Sequence, residues 1–172
     1  MPRFLLSLLI LLLFLLEGTV FQFIVPHQGE WHLLPRFALV GVIMIALFLG
    51  RREGLIYGFV VGLLQDVLFG QIIGVYTLSM MIAGYFSGLI LLLFHRSVAM
   101  VASTATLILF AHEWLLYSIF RLFFTTTVDV QWIVSNQILP SVGANLVFAM
   151  LLYYPLLKLS ERINLSKQMK PE

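Results

Sequence analysis

The sequence contains no cysteine, and that absence removes disulfides, thiolate metal sites and cysteine nucleophiles together. Its four histidines, His27, His32, His95 and His112, do not fall at metal-ligand spacing. Charge is scarce, with 10% of the 172 residues Asp, Glu, Lys or Arg, and the net +2 comes from basic residues scattered along the chain. A nucleic-acid footprint needs a clustered basic face, so no nucleic-acid partner is expected. No phosphate-binding loop is present, and no serine lies in register with a base. Long polar stretches are missing too, which leaves no loop large enough to hold a soluble site. These absences point away from an enzyme, and no cofactor is expected.

What is present is apolar: 61% of the residues are hydrophobic, far from the usage of soluble domains. The composition is that of an all-α integral membrane protein. A helix needs about 20 apolar residues to cross roughly 30 Å of hydrocarbon, and six candidates fit, at about 4–24, 34–50, 54–70, 73–94, 97–121 and 132–156. Residues 157–172 read as a short basic tail, and 1–172 as a single membrane domain. The start, MPRFLLSLLILLLFLLEG, resembles a signal peptide in its one Arg and apolar run, but no A-x-A-like site follows and TVFQFIV extends the run to spanning length.

Cytoplasmic flanks are enriched in Lys and Arg. With the N-terminus inside, Arg3, Arg51, Arg52, Arg96, Lys158, Arg162, Lys167 and Lys170 fall inside, against Arg36 and Arg121 outside. Eight to two predicts a multi-pass membrane protein, in contact with lipid, both termini cytoplasmic.

Three carboxylates then share one depth. At 1.5 Å per residue, Asp66 lies roughly 18 Å from the cytoplasmic edge, Glu17 about 20 Å and Glu113 about 22 Å, with Asn145 at about 16 Å. Carboxylates in lipid cost about 2.5–3.5 kcal/mol each on insertion scales, so these should face inward. Two readings of this layer stand open: an outward-opening cavity or partner site that offers acids to a cation or donor, or a structural layer that fixes helix register. Glu113, Tyr117 and Arg121 form a stripe on one helix face, but Glu113 and Arg121 are about 12 Å apart along the axis, too far for an ion pair. His112 beside Glu113 suggests a proton relay, yet a packed histidine is the commoner case.

The glycines are regularly placed. Gly54, Gly58 and Gly62 recur every fourth residue, and Gly84 and Gly88 repeat the spacing in the next helix, so the two backbones can approach closely. Gly70 to Gly74 makes a flexible connection, and the short third span leaves room for a bent or partly re-entrant hairpin. Asp66 shares the glycine face. It is expected to be buried against Tyr76, Thr77 or Ser79 as a donor-capable acid that fixes the hairpin, with Asn an acceptable replacement. The longest outer connection, around Thr125, Thr126, Thr127 and Asp129, is β-branched and is a candidate surface for a partner's edge.

The stretch Gly58 to Gly88, GFVVGLLQDVLFGQIIGVYTLSMMIAGYFSG, resembles the signature of the rod shape-determining protein MreD family. Its core is G-x-x-x-G-L-x-x-D-x-L-F-G, followed by G-x-Y-x-L and G-Y-x-x-G, about a fifth of the chain. The resemblance implies a non-enzymatic membrane scaffold of the cell-elongation machinery, needed for cell shape and lateral peptidoglycan synthesis. The partners it implies are an MreC-like single-span protein and, in a larger complex, RodA, a class B penicillin-binding protein and MreB. The family also looks distantly like the substrate-binding subunits of energy-coupling-factor transporters. That likeness supplies an alternative, a vitamin-type transport subunit built as a compact six-helix bundle. An enzyme of lipid-linked precursors is a third reading.

Overall fold

Residues 2–24, 33–93, 97–123 and 129–168 are described in the computed structural model, and every regular element among them is helical. They are α1 (Pro2–Ile24), α2 (Phe37–Leu49), α3 (Arg51–Phe69), α4 (Val75–Leu93), α5 (Val98–Phe123), α6 (Val130–Ile133) and α7 (Leu139–Gln168). A π-helical turn, Val134–Ile138, joins α6 to α7 without a break in helical backbone angles, so the two make one rod.

α2 sits at the centre, packed by α1, α3, α4, α5 and α7. Its sequence FALVGVIMIALFL is apolar all round, and a helix of that kind belongs inside. Ala38 through Phe48 are all buried. At 13 residues it is only about 20 Å long.

α3 and α4 form the closest pair. A Cβ at Gly58 would stand 2.5 Å from the Met80 carbonyl oxygen, and one at Gly62 would stand 2.5 Å from Thr77 Cα. Gly54 meets Gly84 in the same way, and a Cβ at Gly88 would fall 2.3 Å from Arg51 Cα. Backbone faces backbone along the whole pair, so no side-chain rotation relieves an added methyl. Gly58→Ala is therefore expected to cost about 1–3 kcal/mol. On the exposed side of α7, Gly143→Ala meets no atom within 4 Å and should gain up to about 1 kcal/mol of helix propensity. Thermal midpoints of the two purified variants check this; equal midpoints would remove close approach as the reason for the glycines.

The connections depart from the sequence reading in three places. α3 is helical throughout Arg51–Phe69, with no re-entrant break. It is joined to α2 by Gly50 alone, whose φ of 105° suits glycine. Gly70 and Gly74 do turn the chain, Gly74 through a φ of 102° and Gly70 because a Cβ would lie 2.5 Å from the Asp66 carbonyl oxygen. The last helix does not end near residue 156 with a tail beyond: it passes through Pro155 and runs to Gln168. Leu156, Ser160 and Ile163, at helical spacing, are each 2% exposed or less and hold this extension to the bundle.

Candidate functional site

The first N–H groups of a helix have no partner within it. Arg36 precedes α2 without a side-chain cap, and α4 follows Gly74, which has no side chain. Both helix starts are instead held by carboxylates from other helices. Asp66 of α3 accepts the Tyr76 N–H on Oδ1 at 2.9 Å, and the Thr77 N–H on Oδ2 at 2.8 Å together with the Thr77 hydroxyl. Glu17 of α1 accepts the Ala38 N–H on Oε2 at 2.9 Å and the Gln65 amide on Oε1 at 2.8 Å. A negative group at a helix N-terminus also meets the positive end of its dipole. Asp66 is thus buried against Tyr76 and Thr77, and both of its oxygens accept backbone N–H groups, a use the sequence reading did not specify.

Residues 33–36 lead into α2 as a non-helical strap. α7 holds its backbone: the Leu34 N–H donates to Ser141 Oγ at 2.9 Å, the Arg36 N–H donates to Asn145 Oδ1 at 2.8 Å, and Asn145 Nδ2 donates to the Leu34 carbonyl at 2.9 Å. Asn145 thus reads one backbone segment with both ends of its amide. The strap turns Arg36 inward, where its Nε donates to Glu113 Oε1 at 2.7 Å and its guanidinium lies 5.7 Å from the centre of the Tyr76 ring.

These groups surround a cavity of about 830 Å³ between α1, α5, the π-helical turn and the starts of α2 and α4. Glu17, Arg36, Gln65, Tyr76, Glu113 and Gln137 contribute its polar lining. Of the four polar residues in the sequence layer, Glu17 and Glu113 line it; Asp66 and Asn145 are buried in hydrogen bonds and are not among its lining residues. Arg36, Gln65, Ser141 and Gln137 were not anticipated. A signal for Arg36 exists in Pro35, because the residue before a proline is kept out of helix and the strap must therefore precede α2.

Arg121 pairs with Tyr117, its Nη1 donating to the hydroxyl at 3.2 Å, while Glu113 one turn further back turns to Arg36. His112 is 2% exposed, and neither ring nitrogen has a hydrogen-bond partner among the described residues. Its surroundings are those of a packed side chain. Thr125, Thr126 and Thr127 lie outside the described residues; Asp129 stands at the start of α6 without a side-chain capping bond.

The sequence matches the family described as rod shape-determining protein MreD over residues 2–163. The chain belongs to the MreD family. Membership places it in the rod-shape system and gives it a role in determining cell shape. The MreD protein of Bacillus subtilis (strain 168) is 26% identical over 160 residues, covering 90% of this chain and 91% of the relative. No solved structure matches, so the likeness to energy-coupling-factor subunits stands without support. In this MreD chain the signature residues Gly58, Gly62, Asp66, Gly70, Gly74, Gly84 and Gly88 all lie on the α3–α4 hairpin, where they set its spacing, turn and cap.

Proposed function

We propose that this chain is a non-enzymatic membrane scaffold of the bacterial cell-elongation complex, which holds an MreC-like single-span partner beside the wall synthases RodA and a class B penicillin-binding protein and the MreB cytoskeleton. The observation that carries the reading is the use of the buried acids: Asp66 and Glu17 hold helix starts and Glu113 holds the strap. Groups engaged in that way rigidify a fold and leave no reactive pair. Family membership adds the cellular process.

The scaffold crosses the cytoplasmic membrane six times with both termini inside. Two helices, Val98–Phe123 and Val130–Ile163, are long and apolar enough to cross by length and composition, and the surface carries exposed Leu8, Leu12, Phe59, Val67, Leu107 and Leu151 while the acids sit inside. An apolar exterior around a polar interior suits lipid and not water. The eight-to-two basic count gives the direction. Single cysteines in this cysteine-free chain test it: a cysteine at residue 170 should resist an impermeant maleimide in intact cells, and labelling there would reverse the orientation.

The outer connection with Thr125, Thr126, Thr127 and Asp129 contacts the partner's extracytoplasmic part. The chain, expressed in rod-shaped cells depleted of their own MreD, should restore rod shape and copurify with the single-span partner. Scrambling residues 124–130 should abolish copurification at unchanged membrane abundance. Full copurification by the scrambled chain would remove the loop from the interface, and round cells with a normally abundant intact chain would remove the scaffold reading.

A further inference from the structure

The ion pair of Arg36 uses only part of its guanidinium. That group carries five N–H donors in a fixed planar fork, one on Nε and two on each Nη. Arg36 gives its Nε to Glu113 Oε1 at 2.7 Å, and neither Nη has a hydrogen-bond acceptor among the described residues. The side-chain nitrogens and oxygens that are both closed off and unpartnered among these residues belong to Gln65 and His112 alone, so both Nη atoms of Arg36 keep accessible surface. Arg36 lines the cavity, which is the space its free edge opens on. Glu113 is placed alike: Oε1 takes the guanidinium, while Oε2 has no partner among the described residues and is not closed off, on a side chain that also lines the cavity. The strap holds the pair in this pose from behind, through the bonds of Ser141 and Asn145 to Leu34 and Arg36.

Charge and hydrogen bonding narrow the class of occupant. The guanidinium and carboxylate are in direct contact and cancel, so an ion of either sign in the cavity meets a like charge beside the opposite one, whereas an uncharged dipole meets no such penalty. The free edge of Arg36 calls for a carbonyl-type oxygen, and Glu113 Oε2 beside it calls for an N–H. An amide supplies both. A volume of about 830 Å³ lies within the usual range for small-molecule sites, and walls such as Phe14, Leu116 and Phe120 around a few convergent polar groups are their usual make-up. The π-helical turn Val134–Ile138 brings the half-buried Gln137 to the same wall, and such turns recur at functional sites.

We infer that this cavity binds a small uncharged molecule that carries an amide on an apolar body, with the amide oxygen on the Nη edge of Arg36 and the amide N–H on Glu113 Oε2. The apolar body lies against Phe14, Leu116 and Phe120. The Nε bond between Arg36 and Glu113 stays intact and sets the two free groups side by side. The site goes beyond the scaffold reading and does not rest on it.

The test uses the purified full chain in lipid nanodiscs with four probes of one shape at equal ionic strength: benzamide, acetophenone, which keeps the carbonyl but has no N–H, anionic benzoate and cationic benzylammonium. Benzamide should raise the thermal midpoint saturably, by about 3–6 °C at ten times its Kd. Acetophenone should bind severalfold more weakly, and the two ions at least tenfold more weakly. Arg36→Lys, which keeps a charge for Glu113 but loses the fork, should weaken benzamide at least tenfold. That residue also serves the fold, so a second variant guards against a folding effect: Gln137→Trp, on the half-buried wall, should fill the cavity and abolish the benzamide shift at an unchanged midpoint without probe. Either ion binding as tightly as benzamide overturns the inference, and so does acetophenone binding as tightly, since the N–H would then have no partner in Glu113. The absence of any saturable benzamide shift overturns it too, as does full benzamide affinity in either variant. Rod-shape restoration is read separately, so its failure and the failure of the site are distinguishable.

Discussion

Glu113→Leu should lower stability by about 3–5 kcal/mol, because it strands the Arg36 guanidinium inside the bundle. The two side chains are 13% and 5% exposed, and Arg36 Nε meets Glu113 Oε1 at 2.7 Å, so each is largely withdrawn from solvent and paired. Removing one partner of such a pair leaves a buried charge uncompensated; removing both leaves none. Arg36→Met combined with Glu113→Leu should therefore be markedly more stable than Glu113→Leu alone. Glu113→Gln, which keeps an acceptor for the guanidinium, should fall between. For a chain of this length the single loss corresponds to a midpoint about 6–20 °C lower. Additive losses in the double variant would show that the two residues do not act as a pair.

The strap explains why this pair was hidden in the sequence. Arg36 precedes an apolar run, where an arginine ordinarily reaches for lipid headgroups, and a charge count treats it as a flank. α2 begins only at Phe37, and three hydrogen bonds from Ser141 and Asn145 to the strap carry Arg36 inward. Those contacts join residues more than 100 positions apart, beyond the reach of any local pattern. The extension of the last helix was obscured for a different reason. A proline inside a helix costs about 3 kcal/mol or more, and Pro155 followed by charged residues reads as a stop. The buried row of Leu156, Ser160 and Ile163 carries the helix on regardless.

The α3–α4 hairpin was far more legible, since its register is written in local spacing. Glycines every fourth residue define a face, and that face admits only close backbone contact. With Gly58 opposite Met80 and Gly62 opposite Thr77, the next residue on the face is Asp66, one turn further along. It then reaches the start of α4, where N–H groups are free. The kind of hydrogen bond was the illegible part. Burial alone does not say whether a carboxyl finds donors or acceptors, and here a helix start supplies donors only.

That difference sets the outcome at Asp66. Asp66→Leu leaves two backbone N–H groups and one hydroxyl without an acceptor, at about 1–3 kcal/mol for each buried group, so a loss of about 2–6 kcal/mol is expected even if the hydroxyl finds another partner. Asp66→Asn keeps one oxygen for one N–H but turns its own NH₂ toward the other, at about 1–3 kcal/mol for the buried group left unmatched. Asparagine should therefore be clearly destabilised, contrary to the tolerance suggested by burial alone. Thr77→Val, which removes only the hydroxyl and spares both backbone bonds, should cost about 1 kcal/mol. The ranking Leu, then Asn, then Thr77→Val, from worst to mildest, is read from thermal midpoints of the purified variants and from their abundance in the membrane. An Asp66→Asn protein as stable as the parent would show that a single oxygen suffices at the start of α4. The two-oxygen cap would then not be what holds the hairpin closed.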